Sequence, residues 1–195
     1  MKYPITREAW LLAAVQAVRP LFQAKKYEIP EELLVSCGFP STGTRSHAIG
    51  QCWSRKSCDS SINQIFISPV LADPVEVLDT LVHELIHAVD DCQHKHGKEF
   101  KKIALSLGLK GPMRSAGAGP ELLEKLKAIA QTLGPYPHAQ LKVSHQRRAQ
   151  APRPRAQCPT CGFQVPMFKR FLEYGPPICP KDKIDMEPLG DWETF

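Results

Sequence analysis

The stretch His83-Glu84-Leu85-Ile86-His87-Ala88, continued by His96-Gly97-Lys98-Glu99-Phe100, organises the rest of the chain. His83 and His87 are four residues apart, so on a helix their imidazoles leave the same face one turn apart. Two rings so placed can share one Zn²⁺, and the glutamate between them can reach a water activated by the metal. A third imidazole on the following segment leaves one coordination position open, the layout of a hydrolytic site; a structural zinc is closed by four protein ligands.

The flanking residues support a helix. Asp73 suits an N-cap, Pro74 the first helical position, and Glu76 the positive end of the dipole. Val75, Val77, Leu78, Leu81, Val82, Leu85, Ile86 and Val89 make residues 74–91 apolar almost all round, which predicts burial. Two histidines and a glutamate inside such a helix need partners, because an unpaired buried polar group costs roughly 2–7 kcal/mol. One metal ion satisfies all three. His96 is the preferred third ligand, with Gly97 expected to supply the backbone freedom for a sharp re-entry and Phe100 to pack the next helix on the core. His94, Asp90 and Asp91 are the alternatives; the aspartates also fit a helix end or a partner for a ligand histidine.

On either side of this helix the chain reads as a mixed α+β domain. Trp10, Leu11, Ala14, Val15, Val18, Leu21 and Phe22 recur at helical spacing over 6–24, with Pro20 marking a kink or an early stop. Strands are expected at 33–37, 48–53 and 62–68, joined by connections short enough for antiparallel pairing. A second helix is expected over 97–107, a glycine-rich loop over 108–120 and a last helix over 121–133. Cys37, Cys52, Cys58 and Cys92 have no ligand spacing and read as small buried residues or incidental thiols.

Composition bounds the function classes. The 195 residues are 43% hydrophobic and 23% charged, ordinary for a soluble domain with one good core. No apolar run approaches the roughly 20 residues of a membrane span. The N-terminus lacks the apolar stretch of an export signal, and the cysteines number seven; both favour a reducing cytoplasm over a disulfide framework. The net charge of +5 is unevenly spread. No acid lies between Glu124 and Glu173, a stretch with nine lysines and arginines, while the remaining residues are net acidic. Lys142, Arg147, Arg148, Arg153, Arg155, Lys169 and Arg170 are therefore candidate phosphate contacts for single- or double-stranded DNA. Phe163, Phe168, Phe171 and Tyr174 interleave with the last two, a mixture that suits either base stacking or packing inside a small module.

Cys158-Pro-Thr-Cys161-Gly and Cys179-Pro-Lys-Asp182 have the spacing of two zinc-ribbon knuckles, with Asp182 in place of a fourth cysteine. Carboxylate oxygens ligate Zn²⁺ at about 2.0–2.2 Å, so a structural site of three cysteines and one aspartate is expected, weaker than one of four cysteines. The organisation expected is a metal-binding domain over 1–137, a basic linker over 138–157 and a ribbon-like module over 158–195.

The run His-Glu-Leu-Ile-His-Ala with His-Gly-x-x-Phe, together with Ile67-Ser68-Pro69 before the helix and a cysteine module after a basic linker, resembles the SprT-like metallopeptidase family. That family includes the Spartan proteases and bacterial and phage members. The resemblance implies a zincin-like, minimal gluzincin-type α+β fold, helices on a short antiparallel sheet. It implies a catalytic zinc held by His83, His87 and His96, with Glu84 as general base. It further implies proteins crosslinked to DNA as substrates, in the cytosol or nucleoid of a bacterial or phage-infected cell. Asp182 departs from members with a full four-cysteine ribbon. A rival expectation is a non-catalytic, nucleic-acid-associated zinc adaptor, which has little use for a general base at position 84.

Overall fold

The computed structural model describes residues 6–45, 48–143 and 153–192. The chain divides into two units, Met1–His145 and Gln146–Phe195.

In the first unit, α1 (Arg7–Gln23) starts where Thr6 Oγ1 accepts the Ala9 N–H at 3.1 Å. Its apolar stripe is buried from Trp10 to Phe22. Pro20 does not stop it. The helix continues to Gln23, and the Ala24 N–H donates back to Pro20 O at 3.0 Å. Proline removes only its own N–H, so the turn that follows still closes.

Strands β1 (Leu33–Cys37), β2 (Gly50–Trp53) and β3 (Asn63–Ile67) form a sheet of order β1-β3-β2. The β2–β3 pair is antiparallel, as the short connection predicts, with Cys52 opposite Ile65. The β1–β3 pair is parallel, in register from Leu33–Asn63 to Cys37–Ile67, so the sheet is mixed. The chain reverses into β2 and again into β3, and two reversals return β3 to the direction of β1. Asn63, Ile65 and Ile67 point into the core at period two. As the outer strand, β2 keeps one backbone edge unpaired by the sheet.

Helix α2 (Pro74–Val89) runs against this sheet and also meets α1, α3 (Lys98–Leu107) and α4 (Pro120–Leu133). Asp73 Oδ1 caps it by accepting from Val75 N–H and Glu76 N–H at 2.9 and 3.0 Å. Where a glycine-rich loop was expected, Leu109–Lys110 (β4) and Gly117–Ala118 (β5) pair as a short hairpin around a 3-10 turn at Met113–Ser115. Gly108 ends α3 with a left-handed φ of 101°, and Gly111 turns within the hairpin with a φ of 97°. No helix among the described residues is long and apolar enough to cross a membrane.

In the second unit β6 (Arg155–Gln157) is the centre of an antiparallel sheet between β7 (Gln164–Pro166) and β8 (Glu187–Leu189). A 3-10 helix covers Lys169–Tyr174. Among the described residues its buried apolar cluster is Ala156, Cys158, Cys179 and Met186, with Cys161, Val165, Met167 and Trp192 packed against it. The α+β class and a ribbon-like C-terminal module are thus what the structure contains.

Candidate metal centres

Helix α2 puts His83, Glu84 and His87 side by side, each less than a tenth exposed. The chain then turns back sharply. Asp91, Cys92 and Lys95 take left-handed φ of 54°, 61° and 47°, conformations that cost non-glycine residues of order 1–3 kcal/mol each. The turn is held by Asp91 Oδ1, which accepts from the Arg55 N–H at 2.7 Å and Asn63 Nδ2 at 3.0 Å. Gly97, the residue expected to free the re-entry, has an ordinary φ of −75°. A side chain is excluded there for a different reason: a Cβ would sit 2.9 Å from His94 O. The αL geometry falls on residues whose sequence does not advertise it.

The turn delivers His96 Nε2 to 3.2 Å from both His83 Nε2 and His87 Nε2. Tetrahedral zinc with Zn–N of about 2.0–2.1 Å separates its nitrogens by about 3.3–3.4 Å, so the spacing fits. Phe100 supports all three rings, with centroids 5.0, 4.5 and 4.9 Å from those of His83, His87 and His96. Burial lowers the pKa of all three histidines, that of His87 to about 3 with further repulsion from His83 and His96. They therefore present neutral lone pairs, as metal ligation requires. His83, His87 and His96 together can hold a metal ion. The other ligand candidates are engaged elsewhere: Asp90 Oδ2 accepts from His94 Nδ1 at 3.0 Å, and Asp91 holds the turn.

Glu84 faces the edge strand. Its carboxylate accepts the Cys52 N–H, while burial pushes its pKa up to about 8. The strand comes this close only because residue 50 is glycine. A Cβ there would lie 2.6 Å from Glu84 Oε1 and 2.7 Å from Thr80 Cγ2. Glycine inside a strand pattern signals close approach, but what approaches Gly50 is not visible in the sequence. A cleft of about 860 Å³ opens over these side chains, between residues 48–52 of the edge strand and 114–117 of the hairpin. Cys52 and Cys92, whose spacing suggests only small buried residues or incidental thiols, line it, as do Lys95 and Arg114.

Hairpin and metal helix are joined at two points. Asp79, one turn before His83, accepts the Ala118 N–H on Oδ1 at 2.8 Å. His83 Nδ1 lies 3.3 Å from Ala116 O. A carbonyl only accepts, so Nδ1 carries the proton and Nε2 keeps its lone pair for the cluster.

The second cluster lies in the other unit. Cys161 Sγ is 3.7 Å from Cys179 Sγ, and Asp182 Oδ2 is 3.2 and 3.6 Å from the sulfurs of Cys158 and Cys179. Tetrahedral zinc with Zn–S of about 2.3 Å separates sulfurs by about 3.8 Å, and a sulfur from a carboxylate oxygen by about 3.6 Å. The two knuckles repeat one hydrogen-bond pattern. Gly162 N–H donates to Cys158 O at 3.0 Å and Lys183 N–H to Cys179 O at 2.9 Å, both residues at positive φ. Cys158 N–H donates to Phe163 O, and Cys179 N–H to Ile184 O. Asp182 thus stands where Cys161 stands in the first knuckle. The four side chains can hold a metal ion.

Of the basic residues, Lys142 is exposed in the first unit, and Arg153, Arg155, Lys169 and Arg170 are exposed in the second. Arg147 and Arg148 lie outside the described residues. Phe163, Phe168, Phe171 and Tyr174 are 42–78% exposed, so packing inside the module does not account for them. The Arg170 guanidinium lies 4.6 Å from the Phe171 ring centroid.

Compared with known families, residues 20–116 match the SprT-like family. No curated protein and no solved structure matches the chain.

Proposed function

We propose that this chain, which carries an SprT-like family domain over residues 20–116, is a zinc-dependent metallopeptidase acting on proteins associated with or crosslinked to DNA. The observation that carries the reading is the meeting of three neutral imidazoles beside the Glu84 carboxylate at the floor of an open cleft. Zinc bound there supplies Lewis acidity, acidifying a water and polarising a carbonyl. His83, His87 and His96 are the residues to hold it, and Phe100 keeps their rings aligned. Glu84 accepts the proton of the attacking water on its carboxylate and passes it to the leaving amine. The Cys52 N–H orients that carboxylate and offsets part of the burial that raises its pKa; the positive charge of zinc bound beside it would favour the ionised form further.

Gly50 shares the parity of Cys52 on β2, so its backbone N–H and C=O face the cleft, where an extended peptide can add to the edge. DNA association is supported by the acid-free basic stretch and by the exposed aromatic rings with a guanidinium stacked on them.

The test uses full-length, zinc-loaded protein with a DNA-crosslinked protein substrate. Wild type is expected to cleave it. Glu84→Gln is expected to lose about 10²–10⁴-fold in rate while retaining its zinc. Equal behaviour of the two proteins hands the case to the non-catalytic adaptor.

A further inference from the structure

The β4–β5 hairpin has only two residue pairs, Leu109–Ala118 and Lys110–Gly117. An isolated two-stranded hairpin is marginal even at greater length. Yet this one supplies Ala116 O, the acceptor that settles the His83 tautomer. Something outside the hairpin must hold it in place.

Asp79 is positioned to do so. Its Oδ1 accepts the Ala118 N–H at 2.8 Å, two residues from Ala116. The fit continues on its other oxygen: a Cβ on Gly117 would lie 2.9 Å from Asp79 Oδ2, so glycine there lets the carboxylate lie flat against the strand. Asp79 and His83 are one helical turn apart on α2. The aspartate and the imidazole therefore grip the hairpin at adjacent points, one by accepting and one by donating. A hydrogen bond to a charged acceptor is stronger than a neutral one, which makes the carboxylate the firmer of the two grips.

We propose that Asp79 is a positioning residue for the three-histidine centre: by fastening β5 to α2 it places the Ala116 carbonyl, and so keeps His83 with Nδ1–H donating and Nε2 turned to the metal. This rests on the reading of His83, His87 and His96 as a metal site, not on proteolysis. It assigns the hairpin a role in metal affinity in addition to forming the cleft wall. Groups that orient a metal-ligating histidine typically change affinity by about 10–100-fold when removed.

The experiment is a Co²⁺ titration of the full chain, in which visible absorption separates coordination by nitrogen alone from coordination by thiolates. Asp79→Ala is expected to weaken Co²⁺ binding at the histidine site by about 10–100-fold, with the thiolate-site signal unchanged. Asp79→Asn, which keeps an oxygen for Ala118 but loses the charge, is expected to bind more tightly than Asp79→Ala and at or a little below wild type. Gly117→Ala, which leaves the carboxylate in place but crowds it, is expected to weaken the site as well. Imidazole ¹⁵N spectra should show His83 as the Nδ1–H tautomer in wild type and as a mixture in Asp79→Ala. Unchanged affinity in Asp79→Ala overturns the proposal, as does an Asp79→Asn protein as weak as Asp79→Ala. Should Asp79→Ala not fold, the tautomer in Gly117→Ala decides: a retained pure Nδ1–H signature overturns the proposal, and its loss upholds it. A chain that binds Co²⁺ as described but cleaves nothing defeats the peptidase reading alone.

Discussion

The two candidate metal centres sit in opposite kinds of surroundings. Two of the three histidines grow from a helix buried among some thirty apolar residues, and the third is brought to them by the turn that follows it. The three cysteines and Asp182 grow from turns around a cluster of four buried residues, two of which are themselves ligands. In the first unit the fold builds the site. In the second the site must help build the fold, because a module of this size buries too little apolar surface to overcome its chain entropy. Ligand chemistry follows the same division: three nitrogens leave room for a reacting molecule, while four donors close the coordination sphere.

The largest effect expected from this contrast is on removal of metal. A chelator, or Cys179→Ser, should abolish the structure of the second unit and leave the first folded, since structural zinc supplies about 10–16 kcal/mol of folding free energy. Hydrogen exchange checks it: amides of Arg155–Gln157 should lose protection while those of α2 keep it. Protection retained in both units would break the contrast.

A smaller effect sharpens the description of the first site as pre-built. Gly50→Ala brings a methyl against Glu84 Oε1 without touching a histidine. Metal content should be unchanged and kcat should fall by about 10²-fold, the scale associated with a 1 Å misplacement. Loss of metal in that variant would mean that edge strand and metal site are not separable.

The smallest effect concerns the thiols. Hydrogen bonds from Ser60 and Gln64 bring Cys58 down to about 7, whereas Cys52 is pushed up by its hydrogen bond with Cys92 and by burial. The thiolate is the nucleophile, so a lowered pKa increases reactivity at neutral pH. Cys58 should alkylate ahead of Cys52 at pH 7, with a rate that rises through about pH 7. Zinc should protect Cys158, Cys161 and Cys179 and leave Cys58 reactive. Mass spectrometry of alkylated peptides, with and without zinc, reads both.

Particular residues show how far local pattern reaches. Asp73, Pro74 and the apolar run predict α2, whose observed end at Val89 falls two residues short of the expected one, within the ordinary fraying of a helix terminus. The knuckle spacing likewise predicts the second cluster, because its ligands pair within three residues. Pro20 misleads as a stop signal, since the turn after it closes on its own carbonyl. The glycines of 108–119 suggest a loop, whereas Gly108 closes α3 and Gly111 turns inside a short hairpin. Parallel pairing of β1 with β3 is invisible in either strand, because direction within a sheet depends on the path between them.

Periodicity, capping and i,i+4 spacing are relations within one element, and they suffice to put His83, Glu84 and His87 on one helical face. The arrival of His96 through three left-handed residues, the Phe100 ring beneath the imidazoles, the Gly50 backbone against Glu84 and the Asp79 grip on the hairpin are relations between elements. They arise from how separate surfaces pack and which backbone groups are left needing a partner, and those quantities exist only once the chain has folded.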